Sequence, residues 1–151
     1  MPLDVPYYRQ HRDYTCGPAC LRMVLAYYGH QADEVGLTIL CSTNIFGTGM
    51  SDLANAAQQL GFRAEHTHCE SLAELTAALA RGIPPIAMID AVKLYNMSKV
   101  VPSGHVVVVV AANASEIVYH DPLIDSGLSV STKIFLRAWE VFARGMVLIW
   151  T

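Results

Sequence analysis

Gln10-His11-Arg12-Asp13-Tyr14-Thr15-Cys16-Gly17-Pro18-Ala19-Cys20 is the stretch on which the reading of this chain turns. Before it, Met1 to Thr15 reads as an extended arm, held open by Pro2 and Pro6. From Cys16 the pattern becomes helical. Leu21, Val24, Leu25 and Tyr28 fall at helical spacing, Pro18 suits a first turn, and Gly29 stops the run. Cys16 therefore sits where the arm turns into a helix. The unpaired N–H groups and the positive end of the helix dipole stabilise a thiolate at such a position, which makes it a usable nucleophile. A small buried residue that merely starts a helix is the plainer reading, and position alone does not separate the two.

Further along, Asp33 to Leu40 reads as a second short helix. Phe46-Gly47-Thr48-Gly49 connects it to a third, from Ser51 or Asp52 to Leu60, closed by Gly61. Ser71 and Glu74 match a capping box that opens a fourth helix, carrying Leu72, Leu75 and Leu79 and ending at Gly82. Then the texture changes. Pro85 to Asp90, His105 to Ala111, Ile117 to His120 and Met146 to Trp150 read as strands, with a helix near Lys133 to Phe142 before the last of them. His66 and His68 alternate in another probable strand and share a face, which suits a solvated surface. Val106 to Val110 puts valine on both faces, as a central strand covered on both sides requires. Helices first and an antiparallel sheet afterwards make an α+β fold.

The chain has 151 residues, 53% hydrophobic and 15% charged, which fits one domain over 1–151 with a core that needs no staples. Net charge is −3, from 10 basic and 13 acidic residues without a block of either sign. Such a balance builds no field for a phosphate backbone, so nucleic acid is not an expected partner. The longest apolar run, Val106 to Ala112, is far short of the ~20 residues that span a bilayer, so no membrane span is expected. No secretory signal is visible at Met1-Pro2-Leu3-Asp4. Cys16, Cys20, Cys41 and Cys69 are too few for a disulfide scaffold and none pairs as CxxC, so neither a metal site nor an oxidising compartment is expected. A cytoplasmic setting with free thiols follows. Gly47-Thr48-Gly49 is too short for a phosphate cradle and reads as a connection, so no cofactor is implied.

A cysteine nucleophile needs a base, and the base needs an orienting group. Among six histidines, His105 stands out, because Gly104-His105 opens the most apolar strand and holds the imidazole at a sheet end. A hairpin of Val106–Ala111 and Ile117–His120, turning near Asn113-Ala114-Ser115, sets residue 105 opposite a residue near 121. Asp121 is the carboxylate there, able to accept the imidazole N–H and leave the other nitrogen for the thiol. Alone, Asp121-Pro122 would read as a turn that ends a strand.

Three blocks of the chain, taken together, resemble the C39 peptidase family. They are Gln10 with Asp13-Tyr14-Thr15-Cys16-Gly17-Pro18-Ala19 and Tyr27-Tyr28-Gly29, then Gly104-His105-Val106-Val107-Val108, then His120-Asp121-Pro122. These are papain-like cysteine peptidases, and they include the bacteriocin-processing domains of peptide exporters. The resemblance implies a papain-like fold and a nucleophile at Cys16. It implies that His105 is the base, Asp121 its orienter and Gln10 a donor to the oxyanion. It also implies a peptide or protein substrate cut after a double-glycine type pair of small residues, with an exporter as partner. An apolar surface further off would hold the helical part of a leader. Gln10 also fits on chemistry, since its amide and the Cys16 N–H supply two donors. Gly145 to Thr151 reads as a closing strand with nothing following, as in a stand-alone member or an excised domain.

Two other functions compete with peptide cleavage. The same thiol centre could carry out acyl transfer or amide hydrolysis on a non-protein substrate. A non-catalytic peptide-binding module is the third reading, and it has no need of Cys16, His105 and Asp121 together.

Overall fold

The computed structural model describes all 151 residues. Its elements run α1 (Cys16–Tyr27), α2 (Glu34–Leu40), α3 (Met50–Gln59), β1 (Arg63–His68), α4 (Leu72–Ala80) and β2 (Ile86–Asp90). They continue with α5 (Ala91–Leu94), β3 (Gly104–Ala112), β4 (Glu116–Asp121), β5 (Asp125–Ser131), α6 (Thr132–Glu140) and β6 (Gly145–Trp150). The six strands form one antiparallel sheet in the order β1-β6-β2-β3-β4-β5. The expected α+β class holds.

Alternation along β3 divides the core. Val106, Val108 and Val110 pack with Leu21, Val24 and Leu25 of α1 and with α2 and α3 on one face. Val107 and Val109 point to the other face, against Leu75 of α4 and Phe135 and Trp139 of α6. The all-valine run is thus a strand buried on both sides, as its composition requires. Local signals place the helices. Ser71 caps α4 in a capping box with Glu74, Asp33 accepts the Gly36 N–H at the start of α2, and Gly29 and Gly61 take positive φ just past α1 and α3.

Two elements escape the sequence reading. The single-turn α5 and the edge strand β5 both lie where no hydrophobic period is sustained; β5 is Asp125-Ser126-Gly127-Leu128-Ser129-Val130-Ser131 and mostly exposed. The hairpin register also differs from expectation. Val108 pairs with His120 and Val109 with Tyr119, then a bulge shifts the pairing to Ala111 with Val118. Continued downward, that register sets residue 105 opposite 123. Asp121 is therefore offset from His105 along the sheet, and the side chains span the diagonal. His105 itself pairs across β2, opposite Ile89.

The N-terminal arm is pinned along β3 and β4. The Leu3 N–H donates to Val110, and the Gln10 N–H donates to Pro122 (2.8 Å). His120 holds the middle of the arm: its Nε2 donates to the Val5 carbonyl (2.8 Å) while its Nδ1 accepts the Gly127 N–H (2.9 Å). Both ring nitrogens are occupied, so His120 is a structural residue with no lone pair free for a thiol. Replacing His120 by Ala should leave the buried Val5 carbonyl without a partner, at about 1–3 kcal/mol, and free the exposed Gly127 N–H to water. Denaturant unfolding of His120→Ala should show a loss of at least about 1 kcal/mol, with faster amide exchange in the Gly127 turn; unchanged stability would contradict this role.

Candidate active site

The turn before α1 prepares its first residue. Thr15 would be the usual cap, yet its hydroxyl turns back to Arg12, accepting the Arg12 N–H and donating to the Arg12 carbonyl (both 3.0 Å). No side chain caps the helix. The first bond into α1 runs from the Ala19 N–H to the Thr15 carbonyl, and Pro18 has no N–H. The N–H groups of Cys16 and Gly17 are left without partners, so two donors and the positive end of the dipole converge beside the Cys16 thiol. Gly17 lets the Thr43–Thr48 loop come close to the helix start, since a Cβ there would lie 3.0 Å from Cβ of Thr48 and the loop would have to give way.

Cys20, one turn into α1, fixes the height of Cys16. It is fully buried, and its thiol donates to the Val106 carbonyl at 3.5 Å. One turn earlier on the same face, Cys16 comes level with His105, the residue before Val106. The two side chains line the same cavities.

On its other side, His105 Nε2 lies 2.7 Å from Oδ1 of Asp121. Nδ1 is thereby the nitrogen left for Cys16. Asp121 is fully buried, and every contact it makes is a donor. Oδ1 also accepts the Leu123 N–H (2.8 Å), and Oδ2 accepts the hydroxyl of Tyr95, which in turn receives that of Tyr119 (3.1 Å). Burial pushes the Asp121 carboxyl up, but hydrogen bonds from His105, Tyr95 and the Leu123 N–H outweigh it and hold the group below its ordinary value. For His105, burial favours the neutral ring, while Asp121 and then Cys16 favour the cation and raise it to about 9. The arrangement holds a cationic imidazole between a thiol-lined cavity and a buried carboxylate.

Gln10 is turned toward Arg12. It is buried, its Nε2 donates to the Arg12 carbonyl at 2.7 Å, and its Oε1 has no partner. Of the four candidates, the structure bonds His105 to Asp121, sets Cys16 on the wall of the cavity they share, and turns Gln10 to Arg12 with one amide hydrogen uncommitted. Tyr95 and Tyr119 were not anticipated. Tyr119 faces the core from β4, but Tyr95 follows α5 in a stretch without a recognisable period, and no local pattern points to it. The remaining thiols are shielded. Burial pushes Cys20 well up, and Cys41 and Cys69 each up to about 12.

Two cavities flank the Cys16–His105 pair. The smaller, about 180 Å³, is walled by Ile45, Phe46, Gly47, Thr48 and Met88. The larger, about 470 Å³, reaches round His105 to Asp121 and Tyr95. His66 and His68 lie elsewhere, on the exposed face of β1 with ring centroids 5.0 Å apart, and no group of metal-ligating side chains gathers around them.

The raised value of His105 belongs to the folded state. The pairing thus stabilises the protein fully below about pH 6.5 and is lost as pH rises through about 9. Imidazole carbon shifts should show His105 protonated at neutral pH, with its midpoint near 9. In Asp121→Asn the burial that favours the neutral ring is opposed by Cys16 alone, and the midpoint should fall by at least one pH unit. A midpoint that stays put in Asp121→Asn would show that the carboxylate does not govern the ring.

The pattern of the peptidase C39 family matches residues 4–149. No curated protein sequence is significantly similar. Three solved structures share the fold. The peptidase domain of Streptococcus ComA, a bi-functional ABC transporter of a quorum-sensing pathway, is 22% identical over 95% of this chain and 96% of that one, with a TM-score of 0.76. A C39-like peptidase from Bacillus anthracis is 19% identical over 98% and 95%, with a TM-score of 0.81. A double-glycine motif protease from an AMS/PCAT transporter, solved with its leader peptide, is 20% identical over 99% and 93%, with a TM-score of 0.78. At such identities the likeness concerns the fold, which is that of papain-like C39 peptidase domains. With the family's pattern running almost from end to end, the chain belongs to the peptidase C39 family.

Proposed function

We propose that this protein is a cysteine peptidase in which Cys16 is the nucleophile, His105 the general base and acid, and Asp121 the group that orients His105. The observation that carries the reading is the 2.7 Å hydrogen bond between His105 and a fully buried carboxylate, on the wall of a cavity that Cys16 shares. A binding module gains nothing from a buried charge that needs three donors to be tolerated.

The steps follow from the geometry. His105 Nδ1 takes the Cys16 proton, and the thiolate attacks the scissile carbonyl carbon. A C–S bond forms and the π electrons move to oxygen. That oxyanion develops beside the Cys16 and Gly17 N–H groups, with the free Nε2–H of Gln10 as a further donor. Collapse breaks the C–N bond, and His105 returns its proton to the departing amine. Water then attacks the thioester, giving its proton to His105, and the C–S bond breaks. Throughout, Asp121 keeps Nε2 protonated and stabilises the imidazolium.

The substrate we propose is a leader peptide cut after a pair of small residues. The cavity of about 180 Å³ beside Cys16 suits glycine-like side chains. Next to it, Val35, Ile39, Ile45 and Phe46 stand 68–92% exposed on α2 and the following loop. An apolar patch of that kind at a cleft mouth suits the apolar face of an upstream amphipathic helix. The solved double-glycine protease, which was crystallised with its leader peptide, supports this choice, and a peptide exporter is the partner it implies. No helix here is long and apolar enough to cross a membrane. The four free thiols suit a reducing compartment, which we take to be the cytoplasm.

Two measurements test the reading. The kcat/KM for a full-length double-glycine leader should exceed that for a short peptide spanning the cut by tenfold or more. Ile39→Ser should erase most of that advantage while sparing the short peptide, since Ile39 is 76% exposed on α2 and lies outside the cavity beside Cys16. Equal values in the wild type would remove the leader-type substrate. Gln10→Ala should lower kcat by roughly 10²-fold with little change in KM, as expected for a donor used only in the transition state. An unchanged kcat would leave the oxyanion to the Cys16 and Gly17 N–H groups.

A further inference from the structure

We infer that the larger cavity, behind His105, is the subsite for the residue that follows the scissile bond, and that it selects a medium or large apolar side chain there. The inference rests on the peptidase reading above and extends it to the departing half of the substrate.

Direction comes from the proton. His105 must protonate the leaving nitrogen, so that nitrogen lies against the imidazole at the moment of cleavage, and its chain continues past the ring. The acyl half stays on the Cys16 sulfur. Both cavities touch Cys16 and His105, but the smaller ends at the 45–48 loop and Met88 and does not reach Asp121. The larger runs round His105 to Asp121, Leu123 and Ile124, on the imidazole side. The departing chain therefore enters the larger.

Its preference comes from its walls. Met97, Leu123 and Ile124 are each about 40–45% exposed, which is unusual for three apolar side chains around one hollow. Tyr95 adds a ring face rather than a polar group, because its hydroxyl is committed to Asp121 and Tyr119. Lys99 and Asp13 also line it. At about 470 Å³ the hollow holds a leucine or phenylalanine side chain with backbone to spare. A binding surface of this kind has no use for glycine.

The test is a peptide library with Gly-Gly before the cut, randomised further upstream, and Gly, Leu, Phe, Asp or Lys after it, read by mass spectrometry. Peptides with Leu or Phe after the cut should show kcat/KM about tenfold above those with Gly or Asp. The difference should lie in acylation, since that residue has left before the thioester is hydrolysed. Ile124→Asp should reduce the Leu preference to about twofold or less and raise the rate for Lys after the cut. Equal rates for all five peptides would overturn the subsite while leaving the peptidase standing. A changed preference for residues upstream of the cut in Ile124→Asp would overturn it too, by assigning the cavity to the acyl half. Absence of cleavage of every peptide would instead overturn the peptidase reading, and the subsite with it.

Discussion

Asp121 is a carboxylate with no exposure to water, and the neighbourhood of the site is organised around making that tolerable. A buried charge of this kind is strongly destabilising unless its lone pairs are filled. Three donors fill them, from His105, the Leu123 backbone and Tyr95. Each comes from a different part of the chain, so β3, the turn after β4 and the segment after α5 are drawn together at one point. The backbone joins in, since the Asp121 carbonyl accepts the Tyr7 hydroxyl (2.7 Å) and so ties the arm to the same point. Through His105 the charge reaches Cys16. Stability and chemistry thus rest on the same hydrogen bonds.

The second half of the centre depends on a helix that begins without a cap. Most helices fill their first turn with a serine, threonine or aspartate side chain. Here Thr15 turns its hydroxyl to Arg12, and Pro18 removes a donor that would otherwise need a partner. What remains is a pair of N–H groups beside a thiol. Gly17 lets the Thr43–Thr48 loop approach closely enough to wall that end of the cleft. The Cys20 thiol, bonded to the Val106 carbonyl, sets helix against strand at the height that makes Cys16 and His105 neighbours.

Much of this is legible in the sequence. Cys16 at an arm-to-helix junction, His105 at the mouth of an all-valine strand and Asp121 at the end of its hairpin partner are readable because each is fixed by strong local signals. The valine run also announced its two covered faces. What was not legible depends on long-range packing. The bulge beside Val109 moves the hairpin register, so Asp121 meets His105 on a diagonal instead of directly across. Tyr95 reaches Asp121 from a single helical turn whose sequence carries no period. The edge strand β5 is held by ladder bonds to β4 more than by an apolar face. Gln10 shows a further limit: its position in the arm was readable, but the pull of the Arg12 carbonyl on its amide was not.

The central claim is that Cys16, with His105 and Asp121 behind it, forms a covalent acyl-enzyme. Acid quenching of the protein in mid-turnover with a double-glycine peptide, followed by intact mass and peptide mapping, tests this directly. The account predicts an adduct equal to the acyl half of the substrate, on the fragment holding Cys16, and none in His105→Ala. Turnover without an adduct on Cys16, or an adduct on Cys20, Cys41 or Cys69 in its place, would contradict it.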